Sequence, residues 1–122
     1  MKPPDVRAIV LDYLAARVAV PVVATRPDDG KAKSFVRVLA TGGPGRHDRI
    51  LQTVQLTVDC YATSTGRAYD LAAAVDDAMH ALPAARVEVA HVPWATTPQD
   101  YPDPDTGSPR FTATYQVVVK VR

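Results

Sequence analysis

The chain is 122 residues long, 47% hydrophobic and 22% charged, with a net charge of +1. That is the size and balance of one globular domain spanning 1–122, with too little net charge to draw the whole molecule to nucleic acid or an acidic membrane. No apolar run approaches the roughly 20 residues of a membrane span, and the single cysteine, Cys60, excludes an internal disulfide or a thiolate metal site.

The N-terminal stretch has no uninterrupted apolar segment of the signal-peptide kind, because Asp12 and Arg17 break it. The expectation is synthesis in a cytoplasm without export. Asp5 follows Pro3-Pro4 as a helix cap, and Val6, Ile9, Val10, Tyr13 and Leu14 recur at helical spacing up to about Arg17. Val22 to Arg26 and Ser34 to Ala40 read as short strands. The intervening "PDDGKAK" carries Asp29-Gly30, a hairpin turn signal. Thr41 to Arg49, "TGGPGRHDR", reads as a flexible glycine loop.

Alternation is cleanest in "ILQTVQLTVDCYA". There Val54, Leu56, Val58 and Cys60 share one face, and Thr53, Gln55, Thr57 and Asp59 share a wet one. "TSTG" offers hydroxyl caps for a second helix whose stripe is Ala68, Leu71, Ala72, Val75, Met79 and Leu82, ended by Pro83. Arg86 to Val92 reads as a fourth strand. Phe111, Ala113, Tyr115, Val117, Val119 and Val121 form the inward face of a fifth. The pattern predicts an α+β fold: a mostly antiparallel sheet of four to five strands, two helices packed on one face, and long projecting loops.

Nothing in this order calls for a cofactor or a catalytic centre. Cys60 falls in the apolar register of a strand, where a thiol is inert. The histidines, His47, His80 and His91, form no metal-binding spacing. "DPDTG", Asp103 to Gly107, begins like a calcium loop, but glycine stands at its fifth place and Thr114 at its twelfth. "ATGGPGR" lacks the lysine and the following helix of a phosphate loop.

What stands out is the segment from Pro93 to Pro109. It shows no periodicity, and loops of this length in a compact domain are functional or disordered. Trp94 and Tyr101 are its only large apolar side chains, too few to offset the ordering of so much backbone. The segment is therefore expected to be mobile in the monomer or held by a neighbour, with Trp94 and Tyr101 as anchors. Charge is uneven as well. Lys31, Lys33, Arg37, Arg46 and Arg49 face only Asp48 within 31–49, whereas 99–107 is acidic. Such surfaces are complementary if copies meet head to tail. The candidate assembly-interface residues are Asp29, Lys31, Lys33, Arg46, His47, Arg49, Trp94, Asp100, Tyr101, Asp103, Asp105 and Arg110.

"FVRVLATGG", then "QTVQLTVDCYATSTGRAYDLAAAVDDAMHAL", and the terminal "PRFTATYQVVVKVR" after an irregular loop give the chain a further character. In the order and flavour of these elements, nearly end to end, it resembles the tail terminator proteins of long-tailed bacteriophages. The resemblance implies a structural virion protein made in the host bacterial cytoplasm. It would form a homohexameric ring on the tail tube protein, end tube polymerisation and meet the head–tail connector protein, with DNA passing through the lumen without sequence-specific binding. It brings no motif from which a functional residue could be transferred. The alternatives are a head-completion or neck protein of the same virion, a small ligand-binding or enzymatic domain of ferredoxin-like type, and a monomeric nucleic-acid module using Lys31 to Arg49. The last lacks interleaved aromatics other than Phe35.

Overall fold

The structure, a computed structural model, describes residues 2–26, 33–47 and 50–121. Its elements in chain order are α1 (Val6–Ala15), β1 (Val22–Val23), β2 (Phe35–Ala40), β3 (Gly45–His47), β4 (Leu51–Tyr61), α2 (Thr65–Ala85), β5 (Val89–Ala95), β6 (Gln99–Asp100) and β7 (Arg110–Lys120). They build the expected α+β architecture around one sheet of order β1-β2-β4-β7-β5, with β3 added to β4 and β6 added to β7. Every pairing is antiparallel except β1 with β2.

The spine is the β4–β7 ladder, two eleven-residue strands paired along their whole length from Leu51↔Lys120 to Tyr61↔Arg110. Period-two alternation puts Leu56, Val58 and Cys60 of β4 on one face, with Ala113, Tyr115 and Val117 of β7 and Val36 and Val38 of β2. Both helices cover that face. Val6, Val10, Tyr13 and Leu14 of α1 and Ala68, Ala72, Val75, Met79 and Leu82 of α2 join the same buried cluster.

Each helix starts where its sequence says. Asp5 accepts from the Ala8 amide at 3.1 Å, and Ser64 accepts from the Arg67 amide at 3.2 Å. The Tyr13 hydroxyl donates to the Ala78 carbonyl at 2.7 Å and ties the helices together.

Several sequence expectations need correction. β1 and β2 are parallel neighbours, so the Asp29-Gly30 signal does not close a two-strand hairpin between them, and it lies outside the described residues. The parallel placement brings Val20 and Val22 against the core beneath α1. Thr41 to His47 is no free glycine loop. β3 continues the pairing with β4, and Gly43, at φ +117°, lies so close that a Cβ there would meet the Gln55 nitrogen at 2.7 Å.

Pro83 does not end α2, which continues to Ala85. So near the C-terminus its missing N–H costs a single bond, and the Arg86 amide still reaches the Leu82 carbonyl at 3.0 Å. Arg86 is thus a helix cap, and the strand expected from Arg86 to Val92 is shifted to Val89–Ala95, with register shifts on either side of His91.

Candidate assembly surfaces

The face of the sheet opposite the helices was expected to be wet along β4. At its Tyr61 end it is dry: Asp59, Tyr61, Asp103 and Arg110 are all buried. Burying two carboxylates and a guanidinium is costly unless each is paired and hydrogen-bonded. Here they are. Asp59 accepts from Arg37 Nη2 at 2.7 Å and from the Thr112 hydroxyl at 2.6 Å. Asp103 accepts from Arg26 Nη1 at 2.6 Å, from the Tyr61 hydroxyl at 3.0 Å and from the Asp105 amide at 2.9 Å. Arg110 donates to the Tyr101 carbonyl at 2.9 Å and to the Tyr61 oxygen at 3.3 Å. Tyr61 is the hub. Phe35 stacks on its ring at 4.4 Å, and the guanidiniums of Arg26, Arg37 and Arg110 lie 5.2–5.9 Å from its centre.

The electrostatics follow from this packing. Burial pushes the Asp103 carboxyl up. The Asp105 amide, Arg26 and the Tyr61 hydroxyl outweigh it and hold the group down at about 2. Burial raises Tyr61, so its hydroxyl stays protonated and continues to donate. Among the described residues, no buried side-chain polar atom lacks a partner.

This network overturns the expectation that Pro93 to Pro109 cannot order on its own body. β5 runs through Trp94, and β6 pairs with β7. The Thr96 amide donates to the Thr114 carbonyl at 2.9 Å, and a turn closes with the Gly107 amide on the Asp103 carbonyl at 2.7 Å. Backbone pairing and one buried carboxylate fix the segment. Its aromatic side chains do not: Trp94 is 47% exposed and Tyr101 50%.

The candidate interface residues accordingly fall into separate groups. Trp94, Asp100, Tyr101 and Asp105 are exposed together along the β5–β6 edge. Asp103 of the same segment and Arg110 at the start of β7 are turned inward and hold it in place. Lys33, Arg46 and His47 are exposed at the other border of the sheet, beside β2 and on β3. Asp29, Lys31 and Arg49 lie outside the described residues.

Sequence reasoning missed Arg26 and Tyr61. The signal available for Tyr61 was its place in the polar register of β4, directly opposite Arg110. It also missed a groove of about 360 Å³ between α2 and the 97–98 segment, lined by Tyr69, Asp76, Asp77, His80, Thr97 and Pro98. One wall of that groove is fixed, because Tyr115 donates to Asp76 at 2.7 Å.

Cys60 sits under the helices, where burial and the nearby Asp59 push its thiol up to about 12. Among the described residues no group of His, Cys, Asp and Glu is placed to hold a metal ion, and no helix is long and apolar enough to cross a membrane.

The comparisons agree with this architecture. A chain of the virion of a native gene transfer agent particle superposes with a TM-score of 0.53 at 15% identity, over 93% of this chain and 86% of that one, which shows a shared fold. No curated protein matches. The sequence model of the family "Tail completion protein gp17" matches residues 4–122, and the chain belongs to that family of phage tail structural proteins.

Proposed function

We propose that the chain is a tail terminator: a subunit that closes with five copies into a ring on the end of the tail tube, stops tube growth and presents the joint for the head connector. DNA passes through its lumen without sequence-specific contact. The role is one of assembly, without catalysis. The observation that carries the reading is the ordered β5–β6 edge. Its backbone is paired to β7 at Trp94 and at Gln99–Asp100, and the Asp103 network holds the turn that follows, yet Trp94 and Tyr101 remain half exposed on it. Large aromatics held in place but uncovered are the residue types that anchor protein interfaces at low ordering cost.

The test is partner choice and copy number. The protein should co-purify with tail tubes at six copies per end, and Trp94→Ala with Tyr101→Ala should abolish this while the fold persists. Association with the portal-side connector and not with tubes would assign it to the neck instead.

A further inference from the structure

The two borders of the sheet carry opposite charge. The described stretch 33–47, which forms the β2–β3 border, contains Lys33, Arg37 and Arg46 and no acidic residue. The β5–β6 border and the helix above it are built from 65–109, where Arg67 and Arg86 are the only lysine or arginine residues against Asp70, Asp76, Asp77, Glu88, Asp100, Asp103 and Asp105. Arg37 and Asp103 are consumed internally by Asp59 and Arg26. Lys33, Arg46, Asp77 and Asp100 are exposed to solvent.

Among the described residues both borders also leave backbone unpaired. Among the described residues β1 covers only Val36 and Arg37 of β2, and no strand lies outside β5. Open edges are templates for pairing with another chain.

A molecule with one basic and one acidic edge on opposite sides repels itself in a two-fold arrangement and attracts a copy in the same sense. That is the heterologous contact that closes into rings. Resting on the ring reading above, we infer that the occupant of the acidic border is a second copy of this chain. The basic β2–β3 edge of that copy, with Lys33 and Arg46, lies along the Asp77–Asp100 edge. The groove beside Tyr69 and Asp77 receives a cationic side chain from it, because an aromatic face beside an exposed carboxylate suits such a group, while Asp76 is held by Tyr115 and His80. Trp94 and Tyr101 flank the same edge and supply its apolar contact.

The experiment is a charge exchange read by solution mass at high concentration and low ionic strength. Asp77→Lys with Asp100→Lys makes both edges basic, and Lys33→Glu with Arg46→Glu makes both acidic. Each variant alone should lose association by roughly 100-fold, about tenfold for each reversed pair. An equimolar mixture should restore it, since alternating copies then present opposite charge at every contact of an even-numbered ring. Restoration also proves that both variants fold; Lys33→Glu alone is the milder variant, with a partial loss expected.

Either double variant assembling like the wild type, or a mixture of two folded variants that stays monomeric, overturns this edge assignment and leaves the ring reading standing. A wild-type chain that is monomeric under every condition, tail tubes included, overturns both.

Discussion

Replacing Asp103 by alanine tests how the proline-rich segment is held. The substitution removes the acceptor for Arg26 at 2.6 Å, for the Tyr61 hydroxyl at 3.0 Å and for the Asp105 amide at 2.9 Å. A hydrogen bond to a charged group contributes about 1.5–3 kcal/mol, and a buried hydroxyl left without a partner costs about 1–3 kcal/mol. The Arg26 contact must be discounted, because that side chain is 37% exposed and solvent screens the pair. The expected loss is about 3 kcal/mol. At this chain length that lowers the melting temperature by about 10 °C. Asp103→Asn keeps an acceptor oxygen and the turn-forming amide contact, so it should cost about half as much. Urea titration gives the energies, and amide exchange locates them. Exchange should quicken in 99–110 before the core strands respond, since a segment held by few contacts opens on its own. If Asp103→Ala changes stability by less than about 0.5 kcal/mol and leaves exchange at Tyr101 and Asp103 unaltered, the clamp does not hold the segment and the reasoning fails.

Acid should release the same segment. The Asp103 carboxyl is held at about 2 in the fold against an ordinary value near 4 when unfolded, so its contribution is full above about pH 4 and fades as pH falls toward 2. Tyr101 fluorescence or exchange followed from pH 5 to 2 should show this early transition, and Asp103→Asn should lack it. Gly43→Ala should destabilise by about 2 kcal/mol or more, because its Cβ would meet the Gln55 nitrogen at 2.7 Å and the Thr53 oxygen at 2.9 Å; Gly42→Ala, with open space, should cost only its backbone strain of about 1 kcal/mol. Equal melting temperatures for the two variants would contradict this. Cys60 should resist thiol reagents in the folded protein and react only on unfolding, as its burial and raised pKa require.

The parts of the fold that repeat locally were legible in the sequence. Asp5 and Ser64 announce their helices, and the alternation of β4 and β7 sets the core face, because caps and periodicity act within a few residues. Two things were not legible. A strand was legible from Val22, but its parallel pairing was not, since two paired residues have no period and their neighbour was chosen by packing under α1. The polar network on the second face draws Arg26, Arg37, Asp59, Tyr61, Asp103 and Arg110 from five separate segments. Each is unremarkable alone. Only the register Tyr61↔Arg110 brings them together, and register is a long-range outcome. Counting Trp94 and Tyr101 as the segment's means of order looked to the wrong side chains. A carboxylate with three donors does the holding, and that leaves the aromatics outward.

The central claim is that this tail completion family member ends the growth of a tail tube. The direct measurement is tube length against time when purified tail tube protein polymerises with and without the chain. The account predicts that lengths stop increasing once the chain is added, with one ring visible at a tube end. Tubes that keep elongating while the protein is bound along their sides, or not bound at all, would contradict it.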